Sequence, residues 1–544
     1  MGRPPLDVEI PALIPGEPQG WLYASCEGTE VLALAPVDAT RVYVQNIAQQ
    51  RANLNVLLPQ DLRLFWERPI TVVLYARDNV QPLPEGFPAI LSKVHTERER
   101  EQAAENREGK PLQVIVRPHV IPGIWVPEAD GVCFFNVIAP RLKASELSEL
   151  PAAQYISYLL DSRNPPLPAW FTDGISAFFS QATMIGSEVD LQPAVWISPA
   201  QSSLMIRDKS IPAEFVPLSE VFAYVNPLTV KADERRMMTI RSEAALLVRW
   251  AMEGRAPGGS ESLWKFARAL HPGADVEAVF KASFGITTDA ALDGLRAYLP
   301  QAMRKRARIR IPRDSRPSAV EVRPATPAEI ARLRGEWERL AGVLILGLEP
   351  SLRPHYEERA RRTLASGPAN DAADPELLAA RGLMAVESRD DDAALPLLEA
   401  ACRAPKPRPS AVVELARIRL ARARASLPEG GRLDAAATAP IVDALRAVVG
   451  SRPPMPRAYQ VLADTWGVAE VPPTAEDVDL LMTGVRTIPG NVALVLSVAR
   501  LLIDLDRPDE AREAIDTGLA YVGDDSGRRR LFAMRSGLRS PARN

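Results

Sequence analysis

The sequence predicts an α+β region followed by an all-α solenoid. Three observations carry that reading. Between residues 21 and 138, short β-branched runs surround one long segment of helical spacing. Residues 142–303 read as mainly helical. From about residue 329 the chain turns to Ala, Leu, Arg and Glu with helical periodicity, and small residues recur at fixed offsets. At 544 residues it is too long for a single core. The expected division is 1–125, an α/β part; 126–304, a helical part; 305–328, a linker; and 329–540, helical repeats.

Taken in order, Trp21–Ser25 and Glu30–Ala35 are short strand-like runs. Asp38–Leu58 has helical spacing, with Val44, Ile47, Ala48, Leu54 and Leu58 on one broad face interrupted by Arg51. Ile70–Ala76, Leu112–Arg117 and Gly131–Ile138 are strands by β-branched content. Thr96–Lys110 is a charged and amide-rich run that reads as a solvated helix or loop. Two helices follow, Ser145–Asp161 and Ala169–Gln181. They are separated by Pro165, Pro166 and Pro168, which end the first and suit entry to the second. Trp170, Phe171, Ile175, Phe178 and Phe179 give the second helix a large apolar face.

The second of those paired helices carries Pro168, Trp170, Phe171, Asp173, Gly174, Ile175, Ala177 and Phe178. That order resembles the Pro-x-Trp-hydrophobic-x-Glu-Gly-hydrophobic-x-Ala-aromatic helix of gluzincin-type, thermolysin-like zinc metallopeptidases, the peptidase-MA-like group in particular. The resemblance spans roughly residues 20–303. In that family the helix supplies the third zinc ligand, and a preceding helix carries His-Glu-x-x-His. Here Ala153 and Ser157 stand where the two histidines would be, Gln154 where the general base would be, and Asp173 where the third ligand would be. Alanine has no donor atom, serine offers a poor neutral ligand, and glutamine accepts no proton at neutral pH. A lone carboxylate does not hold zinc. The resemblance therefore implies a pseudo-peptidase domain with no metal or other cofactor and no catalytic residues. It also implies a cleft-edge strand at Phe134, Phe135, Asn136 and Val137.

Other chemistry finds little support. The four histidines, His95, His119, His271 and His355, include no pair four residues apart. No Gly-x-Ser-x-Gly elbow is present, and Ser157 has no sequence-identifiable histidine base. Cys26, Cys133 and Cys402 are far apart and form no C-x-x-C pair, so they read as free thiols; a Cys26–Cys133 bridge stays open if the protein is exported.

Residues 305–328, rich in Arg and Pro, read as a linker. Beyond them Gly382, Ala394 and Ala401 are spaced as Ala499, Ala511 and Gly518 are, and a looser copy runs from Ala463 to Gly484 and Pro489. Small residues at those offsets resemble the tetratricopeptide pattern, in which two helices of a hairpin approach closely. Three to five stacked hairpins are expected, with a surface suited to peptides or proteins.

The net charge of −3 argues against nucleic acid as a partner, which needs an excess of cations to release counterions. No apolar run approaches the ~18 residues a membrane span requires. The first residues carry no signal-peptide core, and the compartment stays open: exported or periplasmic if a signal was trimmed, otherwise cytoplasmic. The expected role is a catalytically inactive peptide-binding or scaffold module. The alternatives are a zinc peptidase with relocated ligands and a purely structural subunit of a larger assembly.

Overall fold

The computed structural model describes residues 20–26, 28–59, 68–76, 123–138, 160, 167–180, 182–185, 188–193, 215–224, 234–271, 274–310, 320–346, 353–368 and 374–538. The chain is mostly helical, with a mixed sheet at its N-terminal end and a stack of helical hairpins at the other.

The sheet begins with strands β1 (Leu22–Cys26) and β2 (Thr29–Leu34), an antiparallel hairpin, then helix α1 (Val37–Leu57) and strand β3 (Ile70–Ala76), parallel to β2. Strands β4 (Gly123–Pro127) and β5 (Val132–Ile138) form a second antiparallel hairpin, with β5 parallel to β3. Register and alternation together divide the sheet's two faces. Val31, Val72 and Phe134 stand in one row across β2, β3 and β5 and enter the large core beneath α1. Leu32, Val73 and Phe135 form the neighbouring row and point to the opposite side. On α1, Val44, Ile47, Ala48 and Leu58 are buried as the helical spacing requires.

The helical part follows. Helix α2 (Ala169–Ser180) precedes a small antiparallel pair, β6 (Ala182–Ile185) and β7 (Glu188–Leu191). Then come α3 (Leu218–Phe222), α4 (Glu234–Met252), α5 (Gly259–Ala269), α6 (Val276–Phe284) and α7 (Thr288–Arg304). Trp170, Phe171, Ile175, Phe178 and Phe179 of α2 are all buried, each contributing about 1.5–3 kcal/mol of apolar burial. Trp170 meets Phe222 at 5.1 Å and Phe266 at 5.6 Å between ring centroids, drawing α2, α3 and α5 together. The buried Arg249 of α4 donates to Glu253, to the Gln192 carbonyl at 2.6 Å and to the Lys305 carbonyl at 3.2 Å. It thereby satisfies backbone acceptors after β7 and α7 that have no strand partner there.

Residues 305–328 are not simply a linker. Strand β8 (Ala307–Arg310) adds to β7, and β9 (Glu321–Pro324) adds antiparallel to β1 as the outer strand of a six-stranded sheet, order β4-β5-β3-β2-β1-β9. Arginines that read as solvated linker charge have carboxylate partners: Arg308 lies 3.5 Å from Glu188 and 3.7 Å from the buried Asp190. Short strands of alternating Arg and Ile carry little periodicity of their own, and pairing decides their conformation. The 126–304 span likewise holds four strands (β5, β6, β7 and, in part, β4) besides its helices.

Helix α8 (Pro327–Leu346) follows β9 directly and covers the sheet's second face. Leu333 and Leu340 join the cluster with Leu32, Val73, Tyr75 and Cys133, and Trp337 stacks on Phe135 at 4.9 Å. The same helix pairs with α9 (Arg353–Ala365) as the first hairpin of the solenoid. The next hairpins are α10 (Pro375–Glu387) with α11 (Asp391–Ala401), α12 (Pro409–Ala425) with α13 (Ala435–Val449), α14 (Pro456–Trp466) with α15 (Ala475–Thr487), and α16 (Val492–Asp504) with α17 (Pro508–Tyr521). Helix α18 (Asp525–Gly537) follows. The first helices of successive hairpins touch one another in an unbroken row from α8 to α16 and on to α18.

The small-residue offsets mark the close crossings. A Cβ on Gly382 would lie 2.6 Å from Leu398 Cδ2, and one on Gly518 3.0 Å from Val495 Cγ1. Ala394, Ala401, Ala499 and Ala511 are all buried against these contacts. Gly484 meets the Tyr459 ring in the same manner, as does Gly335 with Leu364, a crossing the sequence offsets do not reveal. Repetition extends to the backbone: Arg389 (φ 61°) and Asp506 (φ 56°) both adopt the left-handed conformation, each seven residues after its hairpin's small residue, Gly382 or Ala499.

Candidate functional site

Asp173 lies on α2 beside Gly174, whose position explains what the carboxylate meets. A Cβ at Gly174 would stand 2.8 Å from Val248 Cγ2 and 2.9 Å from the Ala244 carbonyl oxygen, so α2 and α4 cross in near backbone contact. Arg241 is three residues before Ala244 and seven before Val248, on the same helix face. The crossing therefore brings its guanidinium to Asp173. Arg241 Nε donates to Asp173 Oδ2 at 2.9 Å and to the Tyr224 hydroxyl oxygen at 2.9 Å. Tyr224, on the turn after α3, in turn donates its hydroxyl hydrogen to the Asp173 carboxylate. The guanidinium carbon stands 5.9 Å from the Tyr224 ring centroid.

Burial raises the Asp173 carboxyl above the ordinary range, and the Arg241 charge and the Tyr224 hydrogen bond act against that rise. Burial, then the neighbouring Asp173 charge, pushes Tyr224 up. Burial acts to lower Arg241, but the hydrogen bond to Tyr224 and the Asp173 charge outweigh it and hold the guanidinium charged. The Asp173 carboxylate thus faces a side-chain cation supplied by the next long helix.

Ala153, Gln154 and Ser157 lie outside the described residues, as do His95 and His119. Leu160, from the same segment, is helical and buried. His271 sits exposed just beyond α5. Among the described residues no group of three or more His, Cys, Asp or Glu side chains is placed to hold a metal ion. The three cysteines are free thiols: Cys26 enters the core under α1 and Cys133 the cluster under α8, on opposite faces of the sheet.

The segment Phe134–Val137 is not an edge. It belongs to β5, which hydrogen-bonds to β4 on one side and β3 on the other, and its backbone has no free side to offer a peptide. The outermost described strand there is β4, Gly123–Pro127, which follows proline-rich sequence and carries no strong β-branched run. Local content favoured β5 because central strands are the most apolar.

Sequence reasoning missed a second charged site entirely. Glu128 and Asp130, on the turn between β4 and β5, meet Arg68, Glu336 and Arg339 of α8, and Arg408 at the entry to α12. Arg408 reaches Glu336 at 2.6 Å, Asp130 at 3.3 Å and Glu128. Arg339 holds Glu128, Glu336 and Glu387, and Arg68 holds Asp130 at 3.0 Å and Glu376 at 2.8 Å. Asp130 Oδ2 also accepts the Ser410 backbone N–H at 2.9 Å, capping α12 from a different part of the chain. The side chains of Arg339 and Arg408 are each 1% exposed, so these charges are shut away from water. Burial raises Glu128 to about 7, against the pull of Arg339 and Arg408. Burial also acts to raise Asp130 and Glu336, but the guanidiniums overcome it and hold both well below the ordinary range. Apart from Arg339 with Glu336, the partners lie 48 to 308 positions apart in the chain, which no local pattern reveals.

The molecule is thus a mixed-sheet module whose second face is covered by the first helix of a helical-hairpin repeat. No protein-family model and no curated protein matches the chain. Among solved structures it is similar to YrrB, described as a TPR protein with an unusual peptide-binding site, at 12% identity over 36% of this chain and 90% of that one, with a TM-score of 0.26. A second similar structure is pilF of Pseudomonas aeruginosa, at 12% identity over 38% and 85% of the two chains, TM-score 0.27. A third is the TPR domain of P58(IPK), at 12% identity over 56% and 83%, TM-score 0.14. Scores this low carry no argument, and the repeat architecture stands on the hairpin packing itself. No described helix is long and apolar enough to cross a membrane.

Proposed function

We propose that the protein is a non-catalytic, peptidase-like module fused to a tetratricopeptide-like scaffold, and that it binds a peptide or protein partner. The observation that carries the reading is the pairing of Asp173 with Arg241 at 2.9 Å. In a zinc site that carboxylate needs a metal and imidazole neighbours; here a guanidinium supplies the opposing charge. The substitutions at Ala153, Gln154 and Ser157 support the same reading from the sequence. The unbroken row of first helices from α8 to α18 supports a scaffold, because such arrays offer an extended surface. Among the described residues the exposed large hydrophobics, Val37, Val471, Ile503 and Phe532, are scattered over separate segments, which favours a scaffold over a subunit with one broad apolar docking patch. Elemental analysis tests the loss of the metal site: after incubation with zinc and removal of loose metal, the full chain should retain negligible zinc. One equivalent would overturn the proposal and revive a peptidase with relocated ligands.

A further inference from the structure

We infer that Arg241 is a receptor for a single carboxylate of a bound peptide, an inference that rests on the non-catalytic reading above. A half-exposed arginine is ordinarily a mobile chain with about 2 kcal/mol of rotamer entropy to lose. Arg241 is 48% exposed, yet its guanidinium is fixed from two separate elements, by Asp173 on α2 and by Tyr224 after α3. Both bonds fall on Nε. Among the described residues Nη1 and Nη2 have no hydrogen-bond partner, and the half-exposed side chain is held at Nε alone. Two parallel N–H groups at the spacing of a carboxylate are the geometry that guanidinium uses to bind such anions bidentately. Because the group is already ordered, a ligand loses less entropy on binding it.

The neighbouring charge narrows the ligand class. Asp173 offsets the cation, so a monoanion fits while a dianionic phosphate meets repulsion from the carboxylate behind the guanidinium. The anchor also accounts for the position of Tyr224: its hydroxyl accepts from Arg241 and donates to Asp173, closing a three-membered ring of hydrogen bonds that leaves only the outer nitrogens for a ligand.

Equilibrium dialysis of the full chain against an N-acetylated pool of hexapeptides with uncharged side chains, read by mass spectrometry, tests this. The free-acid pool should be retained about tenfold more than the C-terminally amidated pool, the effect of one charge-assisted hydrogen-bond pair. Arg241→Gln should abolish that preference without moving the thermal midpoint by more than a few degrees. Inorganic phosphate should compete poorly. Equal retention of acid and amide, retention of neither, or a preference that survives Arg241→Gln would overturn it. Equal retention with negligible zinc would sink the carboxylate receptor while leaving the non-catalytic reading standing; zinc at one equivalent would sink that reading itself.

Discussion

The crossing of α2 and α4 and the junction between the sheet and the solenoid both set arginine against carboxylate, and they do so in opposite ways. At the junction, three guanidiniums and three carboxylates are enclosed, with Asp130 and Arg408 at 2% and 1% exposure. Every one of these groups has at least one charged partner. At the crossing a single pair is partly open, with side-chain exposures of 48% for Arg241 and 29% for Asp173. An enclosed, mutually satisfied set fixes geometry, because losing one member strands another away from water. An open pair contributes little to stability and keeps donors for a ligand. The junction therefore serves structure, while the pair at the crossing is the one proposed to hold a ligand.

The largest effect that would break this contrast belongs to the junction. Asp130→Ala removes the partner of Arg68 and Arg408 and the cap of α12 at once. It should destabilise the chain by about 3–5 kcal/mol, seen as a large fall in the urea midpoint. A loss under 1 kcal/mol would mean that water reaches the junction.

A third carboxyl sharpens the comparison by isolating burial from pairing. Glu243 of α4 is buried and accepts only the Val216 N–H, at 3.0 Å. Burial, with that single hydrogen bond opposing, pushes it up to about 8. The folded chain therefore holds this proton more tightly than the unfolded chain, so stability falls as pH rises from about 4.5 through about 8. The loss is on the order of 4 kcal/mol, and Glu243→Gln should flatten that limb of a stability-against-pH curve. Asp130 runs the other way. Its value is held down, so its contribution is present above the ordinary carboxylate range and is lost as pH falls below it.

The smallest effect belongs to the crossing of α2 and α4. Asp173→Asn should change the unfolding free energy by less than about 1 kcal/mol, because the pair it breaks is partly solvated. A loss as large as that of Asp130→Ala would make Asp173 a structural anchor and erase the contrast.

Much of this was legible in local sequence. Short β-rich runs and β-branched content placed β2, β3 and β5, the aromatic spacing of residues 170–179 placed α2, and small residues such as Gly382 and Gly518 marked crossings that a Cβ would obstruct. What escaped was decided by distant pairing. Strands β8 and β9 take their conformation from β7 and β1, and β4 from β5. Asp173 was singled out by its place in a motif, but its partner Arg241 lies 68 residues away and is brought in by the Gly174 crossing. Nothing near Glu128 or Arg408 in the sequence hints that they meet, because buried ion pairs have no periodicity.

Zinc stoichiometry of the full chain addresses the central claim most directly, since a metal and the Arg241 guanidinium would compete for the same carboxylate. Negligible zinc after equilibration, unchanged in Asp173→Asn, is the predicted result. Retention of one equivalent that disappears in Asp173→Asn would contradict the account.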